Sequence, residues 1–140
     1  RLGVTTFCCL LPNDHQLVDQ DTVSFTDLQA ETVISYRSPT RPRVELDKAA
    51  RAQGLDFSAQ LEIEVSISAV GFVQAGLGVA VVDALMPWHQ FQGVTSRPLK
   101  DSPKLPLSLL TLTGKTLSRA EEGMRDEIRK LCAERLPSKS

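Results

Sequence analysis

Between Ser35 and Arg43 the sequence reads SYRSPTRPR, which crowds hydroxyls at Ser35, Ser38 and Thr40 and guanidinium groups at Arg37, Arg41 and Arg43 into one turn. Proline costs little in the first turn of a helix, where its missing N–H would have no partner anyway. Pro42, the helix formers behind it and the stop at Gly54 therefore predict a helix from Arg41 or Pro42 to Gln53. Free N–H groups and the positive end of the helix dipole favour an anion at such a start, and hydroxyls add directional hydrogen bonds. Ser66 and Ser68 follow the strand-like LEIEV in the same way and open the next helix. Plain helix capping with solvated arginines would use the same residue types. Two such strand-to-helix junctions in one sheet favour recognition of a small anionic or polar ligand, because ligands of open α/β sheets sit at the carboxyl ends of the strands.

Other chemistry lacks its parts. Thr113-Gly114-Lys115-Thr116 looks like the end of a phosphate loop, but the glycine required five residues before Gly114 is Leu109. Gly76-Leu77-Gly78 enters a strand instead of leaving one, which suits a helix stop and not a dinucleotide loop. There is no Gly-x-Ser-x-Gly nucleophile elbow. His15 beside Asp14 is a weak candidate general base, and His89 stands in a polar turn beside Trp88. Cys8 and Cys9 are neighbours and point to opposite faces of a strand, while Cys132 lies far away. No metal-ligand set can be assembled from them, so they read as small buried hydrophobes in a reducing cytoplasm. No enzyme, cofactor or metal is expected.

The elements that must position these residues follow from pattern. VTTFCCLL, from Val4 to Leu11, is an unbroken apolar and β-branched run, as in a strand covered on both faces of a parallel sheet. Thr26-Asp27-Leu28 opens a helical turn, and Thr32 to Tyr36 reads as the second strand. Leu61 to Val65 alternates with period two, and Ser66 to Ala75 follows as a helix with Ile67, Val70, Phe72 and Val73 partly or fully buried. Strands are expected at Leu77 to Val82, at Val94 to Leu99 (an edge, because of Pro98) and at Leu105 to Leu112. Ser118 with Glu121 has capping-box spacing, and Leu117, Ala120, Met124, Ile128, Leu131 and Leu136 form an apolar stripe on the last helix. Such alternation of strands and helices predicts an α/β fold with a mainly parallel sheet. The 140 residues suffice for one compact domain, and a net charge of -1 argues against a free-standing DNA-binding domain. No apolar run is long enough for a membrane span, no signal-peptide pattern opens the chain, and its start at Arg1 is compatible with a longer parent.

The order of these motifs resembles the effector-binding domain of LysR-type transcriptional regulators. The resembling stretches are LPNDH at 11–15 followed by Leu17, the Thr26-Asp27-Leu28 turn, VISYRSPTRPRVELD at 33–47 and EVSISAVGFVQAGLGVAVVDALMP at 64–87. The resemblance implies a periplasmic-binding-protein-like (type 2) fold, with residues 1–99 as effector subdomain II and 100–140 as a segment returning to subdomain I. The rest of subdomain I and the winged helix-turn-helix would be absent, which leaves the apolar stripe of the last helix uncovered. It implies a cytoplasmic regulator that binds a small metabolite, carrying a carboxylate, in a cleft between subdomains. Promoter DNA would be contacted only through the missing N-terminal domain, and the protein would be a homodimer or higher homo-oligomer. The matching ligand-contacting residues are Ser35, Tyr36, Arg37, Ser38, Thr40, Ser66 and Ser68. The Val-Val-Asp ending at Asp83 resembles the subset that senses amino acids or opines. A fragment of a periplasmic solute-binding protein, which shares the fold, is the alternative.

Overall fold

A computed structural model of the chain describes residues 1–136; positions 137–140 of the expected C-terminal segment lie outside the described residues. In chain order the elements are β1 (Gly3–Thr5), β2 (Phe7–Pro12), α1 (Phe25–Leu28), β3 (Val33–Tyr36), α2 (Arg41–Ala52), β4 (Leu61–Ile63), α3 (Ser68–Gln74), β5 (Val79–Asp83), β6 (Val94–Pro98), β7 (Leu105–Leu107) and α4 (Arg119–Arg135). They divide into a larger compact unit, residues 6–105, and a smaller one made of residues 1–5 and 106 onward.

The larger unit is built on a five-stranded sheet in the order β4-β3-β5-β2-β6. β3 runs parallel to both β4 and β5, with Tyr36 opposite Ile63 and Ile34 opposite Ala80. The expectation of a mainly parallel sheet is corrected by β2, which runs antiparallel to β5 and to β6. Burial on both faces follows from a central position in a covered sheet and carries no information on direction. Phe7, Cys8, Cys9, Leu10 and Leu11 are all nearly or fully buried, as the apolar run requires. Pro98 does mark an edge, since β6 is the outermost strand on that side. α3 sends Ala69, Val70 and Val73 into the core and packs on β2 and β5. It starts two residues later than its pattern suggests, and of the residues expected to be partly or fully buried, Val70 and Val73 are in the core while Ile67 and Phe72 are more than a third exposed.

Two glycines explain how α3 hands over to β5. Gly76, at φ 73°, closes the helix in the left-handed conformation that favours glycine. Gly78 then lets β5 run against the chain entering β3, where the Val79 N–H donates to the Thr32 carbonyl at 2.9 Å. A Cβ at position 78 would overlap that same carbonyl oxygen.

At the far end of the sheet from Asp83, His15 ties down the turn after β2. Its Nδ1 accepts from the Leu17 N–H at 3.0 Å, and its Nε2 meets Glu31 Oε2 at 3.0 Å. Both ring nitrogens therefore serve the turn. α1 is held by a reciprocal box between Ser24 and Asp27.

The smaller unit contains the pair β1 and β7 and the helix α4. The apolar run expected as one strand breaks at Thr6, so β1 belongs to this unit and β2 to the other. The last strand is also shorter than its pattern, ending at Leu107, and residues 108–112 are exposed. Thr113 to Thr116 forms a plain turn, in which the Lys115 ammonium donates to Glu121 at 2.8 Å. The capping box between Ser118 and Glu121 is present as expected, but α4 buries no residue. Among the described residues no helix is long and apolar enough to cross a membrane.

Two predictions follow from this packing. Gly78→Ala forces β5 away from Thr32 and should cost about 1–3 kcal/mol of stability by urea unfolding; an unchanged midpoint would show that the strand entry relaxes freely. Burial pushes the Cys8 thiol up to about 11 and that of Cys9 well above its ordinary value. Since the thiolate is the reactive form, alkylation of the native protein at pH 8 should label Cys132, which is only half-buried, and spare the other two.

A candidate ligand site at the carboxyl ends of the parallel strands

β3, β4 and β5 run in one direction, so the segments that leave them, residues 37–40, 64–67 and 84–87, gather at one end of the sheet. Tyr36 is the centre of this end. Its ring is buried, and its hydroxyl donates to Asp83 Oδ2 at 2.6 Å while accepting from the Asp83 N–H at 3.0 Å. Ser66, half-buried in the segment after β4, lies near the same phenol. Burial pushes the Tyr36 hydroxyl well above its ordinary value, and the Asp83 carboxylate beside it acts in the same direction. Asp83 Oδ1 accepts from the Leu85 N–H at 3.1 Å, and the Asp83 carbonyl accepts from the Trp88 indole at 2.8 Å, so the exit from β5 is fixed by side chains from three segments. The Val-Val-Asp resemblance marks Asp83, but the expected ligand-contacting residues do not include it. It stands 47 positions from Tyr36, and only the parallel register, Val33 opposite Val79, brings them together.

Ser35 lies behind this surface. It is fully buried in β3, and its hydroxyl donates to the Val81 carbonyl at 2.7 Å across to β5. Ser38 is exposed in the turn after β3. Thr40 is the residue preceding α2, yet its side chain does not cap the helix; the hydroxyl donates to the Arg37 carbonyl at 2.8 Å. The first-turn N–H groups of α2 thus have no side-chain cap, and Pro42 contributes no donor. Ser68, exposed, begins α3.

The three arginines do three different things. Arg37 is half exposed and pairs with Glu64, which bridges the ends of β3 and β4. Arg41 pairs with Glu45 along α2 at 3.0 Å. Arg43 is an interior clamp. It is 9% exposed, bonds Asp47 at 2.9 Å, reaches the Tyr36 and Phe57 carbonyls at 3.1 and 3.3 Å, and lies over the Phe57 ring. A guanidinium this enclosed is stable only with its donors paired, and the pairing fastens α2 to the end of β3. The cluster of positive charge suggested by SYRSPTRPR is therefore resolved into ion pairs, and what remains open is the hydroxyl-lined start of α2.

Residues 1–133 match the family described as the LysR substrate binding domain. The chain belongs to that family. Regulatory protein NocR of Agrobacterium tumefaciens (strain T37) is 33% identical over 75 residues, which are 54% of this chain and 25% of NocR. Two solved structures share the fold. The Synechocystis PCC6803 CcmR regulatory domain in complex with 2-PG has a TM-score of 0.71 at 16% identity, over 97% of this chain and 67% of that one. The effector binding domain of QuiR in complex with shikimate also has a TM-score of 0.71, at 12% identity, over 97% of this chain and 65% of that one. This LysR-family chain thus spans a quarter of the length of NocR and about two thirds of the two solved chains. The expected periplasmic-binding-protein-like α/β fold holds, and the solute-binding-protein alternative is not favoured, because the matches are to regulators.

Tyr36 is the only tyrosine, so its ionisation can be read without ambiguity. In the folded chain, phenolate absorbance should appear well above pH 10, and in urea near pH 10. The sign for stability follows. Below about pH 10 both states keep the proton and Tyr36 adds no pH dependence; above it the unfolded chain ionises first and stability falls with rising pH. Tyr36→Phe should remove that part of the alkaline loss. At neutral pH it should cost about 1–3 kcal/mol by leaving the Asp83 N–H without its partner. Phenolate formation near pH 10 in the native protein would contradict the geometry.

Proposed function

We propose that this chain is the effector-sensing part of a LysR-type bacterial transcription factor, binding a small carboxylate-bearing metabolite and passing that event to promoter DNA held by an N-terminal domain of the parent. The observation that carries this reading is the uncapped start of α2, beside exposed Ser38 and half-buried Thr40, at the carboxyl ends of three parallel strands. A carboxylate placed there would accept from first-turn N–H groups and hydroxyls and would sit at the positive end of the helix dipole. Arg37 would join by exchanging its exposed partner Glu64 for the ligand, a step that costs little because exposed ion pairs are weak. Tyr36 and Ser66 would form the floor, Ser68 would approach from α3, and Ser35 would act from behind by holding β3 against β5.

In this reading residues 1–99 are effector subdomain II, and residues 100–140 belong to subdomain I, whose remainder would supply the second wall. The parent would be a cytoplasmic homo-oligomer, and its role regulatory rather than catalytic. Val-Val-Asp at Asp83 favours an amino acid or an opine as effector.

The test uses the full-length parent. A thermal-shift screen of carboxylate metabolites identifies the effector, since ligand binding to the native state raises the melting temperature. Calorimetry on Ser38→Ala and Thr40→Ala should then show affinity weakened by roughly 1 kcal/mol or more each, about fivefold. Unchanged affinity in both variants would reject the assignment.

A further inference from the structure

The exchange at Arg37 leaves a charge behind. Arg37 and Glu64 meet across the ends of β3 and β4, with side chains 54% and 69% exposed. The main chain holds the two positions together: Tyr36 is opposite Ile63 in the parallel register, and the Arg37 N–H donates to the Ile63 carbonyl at 3.2 Å. The ion pair can therefore open at its side chains while its two ends stay neighbours. In the site proposed above, on which this inference rests, the ligand carboxylate takes Arg37 and Glu64 is left without a cation.

The other carboxylates on α2, β4 and β5 keep their partners throughout. Asp47 and Glu62 have Arg43, Glu45 has Arg41 and Lys48, and Asp83 is bonded by the Tyr36 hydroxyl and the Leu85 N–H. Among the described residues Arg37 is the only cation that pairs with Glu64. A ligand that is only an anion would set its charge beside that unpaired carboxylate, and the repulsion grows once a second wall excludes water. A ligand with an ammonium on the carbon that bears its carboxylate removes the conflict. It fills the opened pair head to tail, its carboxylate on the guanidinium and its ammonium on Glu64. We infer that Glu64 is the residue that selects an α-amino carboxylate: it accepts from the ligand ammonium when Arg37 turns to the ligand carboxylate, and one ion pair becomes two. The amine requirement thus comes from the Arg37–Glu64 pair and not from the Val-Val-Asp ending at Asp83. Glu64 rejects α-hydroxy acids of the same skeleton by the unpaired charge they would leave.

Matched pairs of ligands test this on the full-length parent: L-alanine with L-lactate, L-glutamate with α-hydroxyglutarate, and L-arginine with its α-hydroxy acid. They are ranked by thermal shift and then measured by calorimetry at neutral pH. The amino acid should bind about tenfold or more tighter than its twin. Glu64→Gln should erase most of that ratio by weakening the amino acid and not the hydroxy acid, whereas Ser38→Ala should weaken both twins alike. The Glu64 side chain is largely exposed, so the ligand-free melting temperature of the variant should be unchanged. Twins of equal affinity, or a preference that survives in Glu64→Gln, would overturn the inference; the proposed site would still stand if Ser38→Ala and Thr40→Ala weaken binding. Binding indifferent to both hydroxyls, or no binding by any member of the pairs, would overturn the proposed site and this inference with it.

Discussion

The close parallel approach of β3 and β5 is the constraint on which the rest of the larger unit depends. Three contacts maintain it along its length: the Val79 N–H on the Thr32 carbonyl, the Ser35 hydroxyl on the Val81 carbonyl, and the Tyr36 phenol on Asp83. The first exists because Gly78 has no side chain to hold the strands apart. The second pairs a hydroxyl that would otherwise be buried without a partner. The third lies at the strand ends and converts a core contact into the floor of the candidate site. Loosening any one moves the segments after both strands, because short strands have few other ladder bonds to restore the register.

The same arrangement decides the electrostatics of that end of the sheet. Arg43 is withdrawn into the protein, where its charge is balanced by Asp47 and by main-chain carbonyls. Arg37 and Arg41 are occupied by glutamates at the surface. The open, positively polarised feature is therefore the first turn of α2 and not a patch of free guanidinium groups. An anion placed there would be held by geometry, through N–H and O–H directions, more than by net charge.

The smaller unit obeys different physics. Its helix is well capped and strongly charged, yet its apolar stripe is at most half-buried among the described residues. Local helix signals and tertiary burial are independent, and α4 satisfies the first without the second.

By itself the sequence determined the elements whose cause is local. Pro42 and Gly54 bracket α2, Ser118 with Glu121 starts α4, Gly76 stops α3, and FCCLL is buried wherever it pairs, because an apolar run has no polar face to expose. The hydroxyls of the junctions were legible for the same reason, and so was the family, whose motifs are stretches of contiguous chain. Strand direction, the break at Thr6, the early end of β7 and the partners of the arginines were decided only by the tertiary structure. Those features depend on which residues come together across dozens of positions. Tyr36 finds Asp83, and Arg43 finds Phe57, only once the sheet register and the packing of α2 have been set.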